Sequence, residues 1–137
     1  MKAIELLADF IERHRDGRAW PNNEWLNGDD MAVYVRRSVP RYLTDDPKKE
    51  EKYVTLDIAS VTVYEKGQGN FTRFLEEAEK LNPWPAIYVE SVLEPRLEKF
   101  LLRKGYTEQD RTPKSFFKMK GKENVPENPR LVLIAAS

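Results

Sequence analysis

The chain predicts an α+β domain, and three stretches carry that prediction. Ile58 to Val63 is a β-branched run that ends in the polar turn Tyr64-Glu65-Lys66-Gly67-Gln68-Gly69. A helical pattern follows at Phe71, Phe74, Leu75, Ala78 and Leu81, the spacing of one apolar helix face. Ala86 to Val89 then reads as a buried strand that gives way to a helix opening at Pro95 and stopped by Gly105. At 137 residues, one domain spanning 1–137 is the expectation, with room for a real core.

Taken in order, Lys2 to Arg15 predicts a helix with Ile4, Leu7, Ile11 and His14 on one stripe, ended by Gly17. His14 reads as a partly buried helix-end residue. Trp20 to Asp30 is rich in turn residues and carries Trp20 and Trp25, expected to cover an edge of the core or else to line a substrate cleft. Met31 to Val39 suits a strand closed by Pro40, and Thr44 to Lys52 a charged loop of mixed sign. In a long strand from about Tyr53 to Val63, strict alternation puts Leu56, Ile58, Ser60 and Thr62 on one face. Asp57, Ala59, Val61 and Val63 then fall on the other. Asp57 inside this strand needs a partner or a purpose. Leu97, Phe100 and Leu101 form the inner stripe of the Pro95 helix, and Ser115 to Met119 is a strand. The chain is loop-like from Lys120 to Pro129 and apolar from Leu131 to Ala135, a tail suited to an edge strand or to a second copy.

Composition excludes several chemistries. Lysine plus arginine and aspartate plus glutamate number 23 each, which gives no support to nucleic-acid binding by the whole surface. Without cysteine there is no disulfide, thiolate nucleophile or cysteine metal site; a single histidine rules out a histidine-rich one. Glu5, Asp9 and Glu12 interrupt the N-terminal apolar residues, so no signal peptide or membrane span is expected there. A soluble, cytoplasmic protein fits these features.

The glycine turn has a chemistry of its own. A strand-to-helix turn leaves the first N–H groups of the helix unpaired, with the positive end of the helix dipole behind them. Glycine lets an anion approach that backbone closely, which makes a phosphate site. Many such turns bind nothing, and the spacing alone admits both readings. No Lys-Ser/Thr follows the glycines, so a P-loop is excluded.

The sequence of strand, glycine turn, helix, strand, helix, Gly-aromatic and strand resembles the Gcn5-related N-acetyltransferase (GNAT) family, over about Tyr53 to Met119. The family's pyrophosphate loop has Arg or Gln, two residues, Gly, one residue, then Gly or Ala; Gly67 and Gly69 keep both small positions, with Tyr64 at the first. The segment from Tyr88 to Tyr106 is similar to the family's strand, helix and closing Gly-Phe/Tyr. This wording and Ser115-Phe116-Phe117-Lys118 resemble short acetyltransferase-like proteins often encoded by bacteriophages, whose setting would be the host cytoplasm. The resemblance implies a mixed, mostly antiparallel central sheet with helices on both faces and a splayed pair of central strands. It implies acetyl-coenzyme A (acetyl-CoA) as co-substrate, with its pyrophosphate on the backbone of Gly67, Gln68, Gly69, Asn70 and Phe71. The pantetheine amides would pair along Val61, Thr62 and Val63, and a strand N–H near Ala59–Val61 would polarise the acetyl carbonyl. An amine on a small molecule or protein would attack the thioester directly.

Two positions depart from the family. Where many members carry a tyrosine acid four residues before the closing Gly, this chain has Leu101, and an asparagine common earlier on that helix is Glu94. Glu90 and Asp57 are the candidate bases, against the plainer roles of helix-entry carboxylate and strand salt bridge. Tyr88 and Tyr106 are candidate proton donors or simply packed aromatics, and water is a further alternative. A competing reading is a catalytically silent GNAT-fold protein that binds CoA or a host protein partner, the latter through the Trp20–Asp30 loop or the Leu131–Ala135 tail. Acceptor identity and the choice between monomer and homodimer stay open at this level.

Overall fold

The computed structural model describes residues 1–43, 51–90, 92, 94–109 and 114–120. Within them the chain runs α1 (Ala3–His14), β1 (Asn23–Asn27), β2 (Met31–Arg37), β3 (Arg41–Tyr42), β4 (Lys52–Tyr53), β5 (Thr55–Val63), α2 (Asn70–Leu81), β6 (Ala86–Val89), α3 (Pro95–Arg103), β7 (Thr107–Gln109) and β8 (Ser115–Met119). The architecture is α+β: three helices with a six-stranded sheet in the order β1-β2-β5-β6-β8-β7, and β3 paired with β4 in a separate two-stranded unit. Among the described residues β5–β6 is parallel and every other pairing antiparallel. Most of the predicted 44–52 loop and the tail from 121 onward lie outside the described residues.

Each helix forms where its signals predict. The Glu5 side chain accepts from the Lys2 N–H at the start of α1. Leu7, Phe10 and Ile11 on its inner face are buried, each contributing roughly 1.5–3 kcal/mol. His14 is buried at its end, stacked on Phe10 at 4.1 Å. α3 begins with Pro95 at its first turn, and Glu94 caps it by accepting from the N–H groups of Arg96 and Leu97. Gly105 closes it, with Tyr106 N–H returning to the Leu101 carbonyl.

The segment from Trp20 to Asp30 departs from its prediction. Asn23 to Asn27 is an edge strand, joined to β2 by a tight connection in which Gly28 N–H donates to Met31 C=O. Its asparagines mask a strand that needs one paired side. Neither tryptophan covers the core: Trp20 is 82% exposed, and Trp25 is 49% exposed, lying against Tyr34.

β5 holds the more consequential correction. Tyr34 pairs with Ser60 while Val35 pairs with Ile58, so Ala59 is an extra residue, a β-bulge. Strict alternation fails there. Leu56 and Ile58 are buried in the main core, Val61 and Val63 pack against that same core, and Ser60 and Thr62 are exposed.

That core also takes Leu7, Phe10 and Ile11 of α1, Phe74, Leu75 and Ala78 of α2, and Leu101 of α3. On the sheet side it includes Val33, Val35, Ile87, Val89 and Phe116. A second, smaller cluster joins Leu43, Ala86, Tyr88 and Phe117, with Tyr53 and Met119 against it. No helical residue belongs to that second cluster among the described residues. Among the described residues the expectation of helices on both faces therefore gives way to three helices gathered on one core, with residues of and beside the β3–β4 unit packed on the other. On that second face β3 contributes Arg41, which binds the buried Asp57 and lies over Tyr88.

Candidate functional site: a forked sheet beside a glycine turn

The site begins where two parallel strands part. β5 and β6 pair from Thr55↔Ala86 to Ile58↔Val89, and Glu90 N–H donates the next bond to Ile58 C=O at 3.0 Å. β5 then continues to Val63 without β6 beside it, because that chain turns off towards α3. Tyr64 N–H donates to Asp30 C=O, so by alternation Thr62 and Ser60 direct their backbone groups to β2. Val61 and Val63 direct theirs to the open side. Among the described residues nothing pairs with the N–H and C=O groups of this edge.

Beside this edge stands the glycine turn. Gly67 and Gly69 have φ of 84° and 71°, in the region that glycine enters without penalty. A Cβ at Gly67 would meet nothing within 4 Å, whereas one at Gly69 would lie 3.3 Å from Arg73 Nη1. Arg73 fastens the turn by donating to Gln68 C=O at 2.8 Å and to Asn70 Oδ1 at 2.6 Å. Gly69 is the N-cap of α2 and has no side chain to cap it, and no acidic residue occupies the first turn. The dipole's positive end is therefore unopposed from within the helix.

A cavity of about 520 Å³ joins these parts. Of the residues expected at a cofactor, Val61, Val63, Gly67, Gly69, Asn70 and Phe71 line it. Thr62 and Gln68 are exposed and do not, Thr62 because the bulge turns it to the other face. Lys66, Thr72, Arg96, Leu97, Phe100 and Arg103 line it as well, and sequence reasoning missed them as site residues. A signal existed. Arg96, Phe100 and Arg103 recur at helical spacing, beside the Leu97–Phe100–Leu101 stripe that faces the core. Leu97 and Phe100 are half-buried against the core and also face the cavity, while Leu101 is fully buried. Tyr64, at the loop position where Arg or Gln was expected, is 54% exposed and does not line the cavity.

Glu90 and Asp57 are brought together by two arginines. Asp57 is fully buried and accepts from Arg36 Nε and Arg41 Nη2, each at 2.7 Å, and from the Thr55 hydroxyl. Arg36 also donates to Glu90, and Arg41 Nη2 lies 3.8 Å from Glu90. Burial pushes the Asp57 carboxyl above the usual carboxylate range, against the pull of Arg41, the Thr55 hydroxyl and Arg36. Glu90 keeps 26% of its side chain exposed. Neither carboxylate lines the cavity; Glu90 stands at the fork itself.

Chemically, the cavity suits an elongated ligand with an anionic group at one end. Backbone donors of the turn meet the anion, Val61, Val63, Phe71, Leu97 and Phe100 provide an apolar wall, and Lys66, Arg96 and Arg103 add positive charge to the lining. Among the described residues no group of three or more acidic or histidine side chains is arranged to hold a metal, and no helix is long and apolar enough to cross a membrane. No family model, curated protein or solved structure matches this chain.

Proposed function

We propose that this protein is an acetyl-CoA-dependent N-acetyltransferase with a GNAT-like fold. The observation that carries the proposal is the junction, in one cavity, of the uncapped α2 N-terminus after Gly67-Gln68-Gly69 with the free edge of β5 at the fork. Acetyl-CoA fits the donor set: a pyrophosphate for the N–H groups of residues 67–71, and pantetheine amides for the backbone of Val61 and Val63. The open space at Gly67 is room for the pyrophosphate.

In this reading the thioester lies towards the bulge, where a strand N–H near Ala59–Val61 polarises its carbonyl. The acceptor nitrogen attacks the carbonyl carbon; the N–C bond forms, the C–S bond breaks, and the thiolate takes a proton from solvent. Glu90 removes the ammonium proton directly or through a water. Asp57 is the weaker candidate base, because its oxygens are enclosed by Arg36, Arg41 and Thr55. Its role here is to hold Arg36, and through it Glu90.

Two observations favour the alternative of a GNAT-fold protein that binds CoA without catalysis. Leu101 fills the usual acid position and is fully buried in the core, and both candidate bases are ion-paired.

Isothermal titration with acetyl-CoA tests the binding half, comparing the wild type with Gly67→Glu/Gly69→Glu. The added carboxylates repel the pyrophosphate, so micromolar binding by the wild type and none by the variant is expected, with folding checked by circular dichroism. A folded wild type that does not bind acetyl-CoA refutes the proposal. Where binding holds, release of free CoA thiol with amine acceptors, lost in Glu90→Gln, separates the enzyme from the silent binder.

A further inference from the structure

We propose that α3 forms a second anion subsite, in which Arg96 and Arg103 bind a phosphate monoester belonging to the same ligand whose pyrophosphate rests on the glycine turn. The inference rests on the acetyl-CoA reading and adds to it a recognition element distinct from the turn. Arg96 and Arg103 line the 520 Å³ cavity and also a second hollow, of about 560 Å³, completed by Lys99 and Leu102. They are two turns apart on one face of α3, with Lys99 beside them. The two hollows therefore meet at the same guanidinium pair.

The charge on this face is unmatched. Several bases elsewhere are paired, among them Lys104 with Glu76, Lys114 with Glu98, Lys118 with Glu79 and Arg13 with Glu24. Among the described residues Arg96, Lys99, Arg103 and Lys66 make no ion pair. Two carboxylates line the first cavity, Glu65 and Glu94, and Glu94 spends both oxygens capping α3. A pyrophosphate held by backbone N–H groups needs none of these side chains. A phosphate monoester, near two negative charges at neutral pH, matches the planar fork of a guanidinium bidentately.

The test compares CoA with its 3′-dephospho form on wild type, Arg96→Gln/Arg103→Gln and Arg96→Lys/Arg103→Lys, by isothermal titration at low and high salt. Wild type should prefer CoA at least tenfold, a preference that shrinks with salt. The glutamine variant should bind both forms alike, with 3′-dephospho-CoA held within about threefold of wild type, and the lysine variant should recover part of the preference. Equal binding of both forms by wild type, or an undiminished preference in the glutamine variant, overturns the second subsite and leaves the acetyl-CoA reading standing. Binding of neither form by wild type refutes that reading and this inference with it.

Discussion

Gly28→Ala is the sharpest test of how the helical layer is seated on the sheet. Gly28 is buried in the β1–β2 connection, and a Cβ there would lie 2.3 Å from the Ala3 nitrogen, 2.8 Å from its Cα and 2.9 Å from Asp30 Oδ1. Ordinary contact begins near 3.4 Å, so the start of α1 must retreat by about 1 Å (3.4 less 2.3). Ala3 is fully buried, and its N–H donates to Asp30 Oδ1 at 2.9 Å. Losing that cap costs about 1 kcal/mol, and overpacking a well-filled contact a further 1–3 kcal/mol. The stiffer unfolded chain returns roughly 0.4–1 kcal/mol. The net is about 1–3.5 kcal/mol, which for a domain of this size lowers Tm by roughly 3–17 °C. Urea unfolding should show a lower midpoint with an unchanged slope. Gly67→Ala is the internal control: its Cβ meets nothing within 4 Å, and the positive φ alone should cost about 1 kcal/mol. A Gly28→Ala variant within 0.5 kcal/mol of wild type, or no worse than Gly67→Ala, refutes the packing argument.

Two pH dependences follow from buried groups. Burial, with Arg13 and Arg37 near it and Glu24 opposing, holds the His14 pKa below its ordinary 6.5. His14 therefore contributes stability that is full above pH 6.5 and lost as pH falls through the folded value, with a slope of up to about 1.4 kcal/mol per pH unit. His14→Phe should flatten urea stability below pH 6.5; an unchanged slope counts against a buried neutral imidazole. Asp57 has the opposite sign. Its folded pKa lies above the ordinary 3.8, so its contribution is full below that value and declines as pH rises through the folded one. Asp57→Asn, which cannot ionise there, should gain on wild type between pH 4 and pH 7, and parallel stability curves would show that the arginines outweigh burial.

Much of the fold was legible because its signals are local. The α2 pattern after Gly69, the Pro95 start and the Gly105 stop each name an element boundary within a residue or so. β1, β3, β4 and β7 were not legible as strands, since each is short or an edge and is defined by its partner. The Asp57 salt bridge was legible as a need, because a carboxylate inside a strand must be paired. Its partners, Arg36 from β2 and Arg41 from β3, come from 21 and 16 residues away and appear only once the sheet is assembled. The lining cations on α3 had a readable spacing, yet helical periodicity does not say that a cavity lies along that face.

The bulge at Ala59 shows why the missing information bears on function. Without the extra residue, Leu56, Ile58, Ser60 and Thr62 share one face, and an apolar core must accept a hydroxyl row. With it, Val61 and Val63 rejoin the core face of Leu56 and Ile58, while Ser60 and Thr62 turn outward. The same shift resets the backbone. Ile58 C=O faces β6, where it accepts from Glu90, and one extra residue later Val61 faces the same side with no strand to pair it. A single inserted residue thus completes the core and decides that Val61 and Val63, in place of Ser60 and Thr62, present the strand edge beside the glycine turn, where β6 has already turned off. Sequence alternation cannot reveal this, because Ala59 is compatible with either face. It is the pairing of Tyr34 with Ser60 and Val35 with Ile58 that decides it.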